Sequence, residues 1–175
     1  MDLTHLHLLL NHFPIVGTAI AVALMLWGII SQSTSTKKNA AFILIVMSLL
    51  AIPVFFTGEP AEETVEHLPG VSEAIIHEHE ESAELAIWIL AAAGLASAVA
   101  LWATSKQTSS ANKLFLLAFV LSGIAFVAMA RVGYYGGQIR HTELRSSGVD
   151  AGINPNNPTE NNNNNEQGKE QGDDD

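Results

Sequence analysis

Cysteine is absent from the 175-residue chain. That excludes disulfides, thiolate metal sites, iron–sulfur clusters and covalent haem attachment through C-x-x-C-H. Basic residues are scarce, 8 Lys and Arg against 18 Asp and Glu, and form no stripe, so an electrostatic nucleic-acid interface is excluded. No phosphate-binding loop, H-E-x-x-H motif or Ser/His/Asp arrangement occurs, and His77-Glu78-His79 has the wrong spacing for a metalloprotease, so catalysis finds no support. Charge of either sign is missing from residues 13–30, 40–57, 85–105 and 114–130.

Those four gaps carry the fold. Overall the chain is 48% apolar, only modestly above a soluble average, so bulk composition decides little. Each gap, however, is long enough to cross hydrocarbon as a helix rising about 1.5 Å per residue. The expected fold is an all-α, four-helix transmembrane bundle, with helices over about 3–31, 40–57, 72–105 and 113–138. It forms one domain, residues 1–145, followed by a tail, 146–175. The tail is rich in Asn, Asp, Gln and Gly, has five asparagines at 161–165, offers nothing to bury and is expected to be disordered. Asp2 replaces the basic start of a signal peptide, and Pro14 interrupts its apolar core, so the first helix is read as a retained span.

The connections give an orientation. Ser31–Asn39 carries Lys37 and Lys38 without an acid, and the stretch from Lys106 to Lys113 again carries only its two lysines. Gly58–Glu84 carries Glu59, Glu62, Glu63, Glu66, Glu73, Glu78, Glu80, Glu81 and Glu84. Short basic loops stay in the cytoplasm, so the expected topology is N-out and C-out, with the acidic loop periplasmic in a bacterial inner (cytoplasmic) membrane. Every acid and histidine then lies on the outer side. The inner halves of the helices lack ionisable groups, which speaks against ion conduction.

Within the helices, Pro14 allows either a kinked helix from Leu3 or a fresh start after an interfacial turn. Pro53 removes a backbone bond from the second helix, which is expected to end at Gly58. A short amphipathic helix is expected from Pro60 to Leu68, ended by Pro69-Gly70. On the third helix, the face beneath His79 reads Ala83, Ala86, Leu90, Ala93 and Ser97, small enough for close packing of a helix or a flat cofactor.

The histidines are the candidate ligands: His5, His7, His12, His67, His77, His79 and His141. Neutral imidazole ligates haem iron, copper and zinc, and helices can aim two of them into a bundle interior. On one continuous first helix, His5 and His12 share a face and His7 points elsewhere. The preferred pair is therefore His12 with His79, with His5 and His141 as second candidates. Arg131, at the edge of the hydrocarbon, needs a counter-charge and is expected to meet a haem propionate or Glu84, or else to reach the headgroups.

The sequence His5-Leu6-His7, followed by Asn11-His12-Phe13-Pro14, resembles the His-Phe-Pro signature of a bacterial family of small four-helix membrane proteins of unknown function. The resemblance spans roughly residues 4–141. It implies an inner-membrane bundle, and its membrane histidines suggest b-type haem. A Gly-His pattern associated with the family's last helix is absent; Gly136-Gly137 and a later His141 stand instead, which puts a ligand role for His141 in doubt.

The expected function is a membrane-embedded b-type haem-binding electron-transfer subunit, with a bis-histidine site near the outer face. Two alternatives stand beside it: an accessory membrane subunit without cofactor, and an outer-face copper or zinc binder using His5, His7, His77 and His79. Expected partners are membrane lipid, a periplasmic or membrane redox protein and further copies of the chain, with no nucleic acid.

Overall fold

The computed structural model describes residues 2–141, so the expectation of a disordered tail lies outside the described residues. Six helices follow one another: α1 (Leu3–Leu10), α2 (His12–Ile30), α3 (Thr34–Phe56), α4 (Gly58–Val65), α5 (Glu73–Ser105) and α6 (Ala111–Arg140). There are 4 membrane-length apolar stretches: Leu3–Ile30, which joins α1 and α2, Thr34–Phe56, Glu73–Ser105 and Ala111–Ile139. Helices satisfy their backbone polar groups internally, which hydrocarbon requires. Their outward faces carry Trp27, Phe42, Trp88, Leu95 and Val127, all exposed. A lipid-facing surface accounts for that pattern; water would not tolerate so much of it in one protein.

The spans alternate in direction and close a ring in which α2 packs on α3, α3 on α5, α5 on α6 and α6 on α2. This leaves the bundle with two unlike ends. At one, short turns join α2 to α3 and α5 to α6, bringing Lys37, Lys38, Lys106 and Lys113 together: the lysine end. At the other lie α1, α4 and the glutamate-rich start of α5: the acidic end. The 33 residues of α5 reach about 50 Å, well beyond about 30 Å of hydrocarbon, so its charged first turns project past the apolar slab.

Small residues set the packing. The core near the lysine end combines Ala21, Ala40, Ala41, Ala96, Ala100 and Ala118 with Met25, Leu44 and Phe115. A second cluster, Ala51, Ala86, Leu90, Ala125 and Met129, lies toward the acidic end. Between α3 and α5 the approach is so close that a Cβ on Gly94 would overlap the Ser48 side chain. The face of α5 read from the sequence packs inward: Ala86, Leu90, Ala93 and Ser97 are all buried.

Boundaries differ from expectation for identifiable reasons. The α3 helix starts at Thr34 instead of 40, because Ser33 caps it by accepting the Thr36 N–H at 3.3 Å. That draws Lys37 and Lys38 from a loop into the helix. Between α1 and α2 the backbone stays helical at Asn11 (φ −60°, ψ −26°), whose N–H bonds His7 O, and only the hydrogen-bond ladder is interrupted, where Pro14 in the first turn of α2 lacks an N–H. Gly58 begins α4 instead of ending α3; Thr57 is the joint. The turn after α5 is a Schellman closure, with Thr108 N–H bonded to Ala103 O and Gln107 N–H to Thr104 O. Gln107 occupies the left-handed position usual for glycine, at φ 54°, and Gln32 does the same after α2, at φ 55°.

Candidate functional site

At the acidic end the helices leave a half-open cavity of about 1470 Å³. That exceeds the roughly 300–1,000 Å³ typical of small-molecule sites. Its walls combine apolar residues (Ile15, Ala51, Val54, Ala86, Met129) with five histidines, His7, His12, His77, His79 and His141; His7 on α1 and His79 on α5 bond to backbone carbonyls of the wall. His79 is close enough to His7 to feel charge on it.

Each imidazole is held the same way. His7 Nδ1 lies 3.0 Å from Val54 O and 3.2 Å from Thr57 Oγ1. The Thr57 hydroxyl donates to carbonyls of its own helix, Pro53 O at 2.9 Å and Val54 O at 3.0 Å, so toward His7 it can only accept. With two acceptors facing it, Nδ1 of His7 is the protonated nitrogen. His79 Nδ1 donates to Val132 O at 3.0 Å. In both rings Nε2 therefore keeps its lone pair. An Nδ1–H tied to a backbone carbonyl is the arrangement that orients metal-ligating histidines and raises their basicity.

The chain creates these contacts locally. Carbonyls of a helix's last turn lack intrahelical donors, and the end of α3 at Thr57 makes Val54 O available to His7. On α6, Gly136 sits one turn after Val132. A Cβ there would stand 3.0 Å from His79 Cε1 and 3.3 Å from Nδ1, so the ring reaches the α6 backbone only because residue 136 has no side chain. Asn11, between α1 and α2, lines the cavity with a buried Oδ1 that has no hydrogen-bond partner among the described residues.

The remaining candidates are placed differently. His12 lines the cavity but is exposed, so of the expected His12–His79 pair only His79 is bonded within the wall. His141 is likewise exposed and on the lining. His5 is exposed beside Asp2 at 4.0 Å and lies outside the lining. His77 meets Glu81 at 3.3 Å, and His67 meets Glu66 at 3.5 Å, both on the surface. Arg131 stands outside the cavity wall, donates to Glu78 Oε2 at 3.1 Å and stacks 5.4 Å from the Tyr135 ring. Its counter-charge is Glu78, not Glu84. Among the described residues no three His, Asp or Glu gather into a metal-holding group, so the copper or zinc alternative gains no geometric support.

The mouth is acidic. Glu59, Glu62, Glu63 and Glu66 from the α4 region line it together with Glu80, Glu81 and Glu84 of α5, and no Lys or Arg side chain among the described residues does. The Glu62 carboxyl is pushed up from 4.5 to about 7. Its hydrogen bond to Glu80 is the main cause, followed by burial and by the negative charges of Glu80, Glu66 and Glu59. The crowding favours keeping a proton on Glu62 up to about neutral pH.

Sequence reasoning named His7 only among the copper or zinc ligands and left it out of the haem pair, and it did not single out Gly136 or the Glu62–Glu80 contact. The spacing of His7 five residues before His12 was visible, but its partner depended on where α3 stops. No family model, curated protein or solved structure matches the chain.

Proposed function

We propose that this chain is a membrane-embedded, b-type haem-binding electron-transfer subunit in which His7 and His79 would hold the haem iron. The observation that carries the reading is the matched pair of imidazoles facing one apolar cavity, each with Nδ1–H fixed on a backbone carbonyl and Nε2 left to ligate. The donor set fits low-spin haem iron, and Gly137, on the lining with nothing within 4 Å of where a Cβ would stand, leaves room beside α6. When bound, such a group exchanges single electrons at its iron. The protein's part is to hold both imidazoles in one tautomer, exclude water with Ile15, Ala86 and Met129, and leave the mouth open. Arg131 is engaged with Glu78 and is not part of this set.

The same reading places the acidic end on the periplasmic side of a bacterial inner membrane and the lysine end in the cytoplasm, from the lysine-only turns. It includes the kinship suggested by His12-Phe13-Pro14. No histidine lies toward the lysine end. A second haem stacked through the bilayer is therefore not part of the proposal, and the subunit would serve a periplasmic or membrane redox protein at the acidic face.

The test is an optical spectrum of the full chain purified from haem-supplied cells, oxidised and then dithionite-reduced. Soret and α bands of low-spin haem are expected, lost in His7→Ala and in His79→Ala and kept in His67→Ala. Loss in His12→Ala with retention in His7→Ala would move the ligand to His12. A spectrum without haem bands would leave the cofactor-free accessory subunit.

A further inference from the structure

The turn after α2 and the turn after α5 are built alike. The last turn of each span holds an exposed tryptophan, Trp27 or Trp102, whose carbonyl accepts the N–H four residues on, at 2.9 Å from Ser31 and 3.1 Å from Lys106. A left-handed glutamine follows, Gln32 at φ 55° and Gln107 at φ 54°, and no other non-glycine among the described residues takes that conformation. Any residue with a Cβ is disfavoured there, so its recurrence at the same place argues for a common construction. The inward faces keep register with those turns. Counted back from the glutamine, Ala21, Met25 and Gly28 of α2 match Ala96, Ala100 and Ala103 of α5, all buried. Counted back from Gly58 and Gly136, the buried Ala51, Leu44 and Ala40 match Met129, Ser122 and Ala118. Helical periodicity makes any two inward faces agree, but it does not tie both to a turn and to the cavity at once.

The same count pairs Lys37 with Phe115, and these two touch, Nζ lying 5.5 Å from the ring centre. Contact between equivalent positions is what a two-fold axis produces. Exchanging the hairpins also turns the α2–α6 contact into the α5–α3 contact, and both exist. At the cavity the correspondence reaches the ligand groups. His7 and His79 are each the second member of a His-x-His pair. Their Nδ1 atoms meet Val54 O and Val132 O, both at 3.0 Å, across 47 and 53 residues of chain. One turn beyond each valine a glycine faces the ring: a Cβ would stand 3.8 Å from His7 Cε1 at Gly58 and 3.0 Å from His79 Cε1 at Gly136. Only the histidine arms slip in register, by about one helical turn, where the ladder is interrupted between α1 and α2 but runs on through α5.

We propose that residues 5–58 and 77–136 are two copies of one helical hairpin, and that the cavity is a ligand site made of two equivalent half-sites, His7–Val54–Gly58 and His79–Val132–Gly136. Parallel repeats about an axis along the membrane normal are a known way to build a membrane protein. Each copy supplies one imidazole in the same tautomer, and neither completes the site without the other. Gly58 becomes a positioning residue, the counterpart of Gly136. The ligand has two like coordination positions. Its identification as haem rests on the function proposed above, whereas the half-sites stand without it.

Nitrogen NMR spectra of the full chain, haem-free and isotope-labelled at histidine in a maltoside detergent, test this, with His7→Gln and His79→Gln assigning the two rings. Both rings should show a protonated Nδ1 and a bare Nε2. Gly58→Val, whose branches extend past the 3.8 Å contact, should abolish that signature at His7 and leave it at His79; Gly136→Val should do the reverse. Unlike tautomers in the wild type would overturn the proposal, as would a His7 ring unmoved by Gly58→Val. Adding haem to the same samples separates the two claims. Matched tautomers without low-spin haem bands support the half-sites and overturn haem as the ligand; low-spin bands on a chain with unlike tautomers do the opposite. The wild-type spectrum decides alone should a valine variant fail to insert.

Discussion

The two ends of this bundle are built on opposite principles. At the lysine end, alanine-rich faces close around Met25, Leu44 and Phe115, and short turns link the spans. At the acidic end the same helices part around a cavity, and the short helices α1 and α4 fill the gap with polar contacts such as Thr4 Oγ1 to Thr64 Oγ1 at 3.0 Å. Packing density goes where only the fold needs it, and space goes where the ionisable groups are. Electrostatics follow the same division: one end leaves a buried ammonium with neutral partners, the other crowds carboxylates until Glu62 keeps a proton up to about neutral pH.

Substitutions can break this contrast, and the largest effect is expected where the spans are tightest. Gly94→Val should cost about 1–3 kcal/mol by overpacking against Ser48 and parting α3 from α5. Thermal unfolding in detergent measures it; an unchanged midpoint would mean the crossing is looser than described. At the acidic end, Gly136→Ala should leave the fold standing but push the His79 ring off Val132 O. Loss of an orienting contact of this kind weakens a bound metal group by about 10–100-fold, read as haem lost on dilution. Haem retention equal to wild type would show that the Val132 contact is dispensable.

The carboxylate pair gives a pH dependence of definite sign. An acid whose value rises from 4.5 to about 7 on folding binds more protons folded than unfolded in that window. Stability therefore falls as pH rises from about 4.5 to about 7, and the contribution is lost above it. In Glu62→Gln the slope over this window should flatten, which thermal midpoints across the range would measure. An identical slope in the variant would assign the dependence to other groups. The smallest effect belongs to the turn after α5. Gln107→Gly relieves a left-handed glutamine and should stabilise by about 1 kcal/mol; a lower midpoint would show that the side chain contributes more than the strain costs.

Much of the fold was legible because hydrocarbon imposes a simple rule. Four stretches free of charge announced four spans, and the inward face of α5 could be read from Ala86, Leu90, Ala93 and Ser97. His79 was legible for the same reason, since it continues that face. His7 was not. Preferring His7 to His12 required knowing that α3 ends at Thr57, turning Val54 O into an acceptor. That is an end effect of a neighbouring segment, invisible to the periodicity of one helix. Gly136 stood in a glycine-rich stretch whose obvious reading was the Gly133–Gly137 pair; its role appears only with the His79 ring beside it. Lys37 looked like a loop charge until the Ser33 cap moved it into α3.

The central claim, that His7 and His79 present two free Nε2 atoms to one haem, is tested most directly by the reduced-minus-oxidised spectrum of the purified chain and its two alanine variants. Low-spin haem bands in the wild type that disappear in both His7→Ala and His79→Ala are the predicted result. Bands that survive unchanged in both variants would contradict the account.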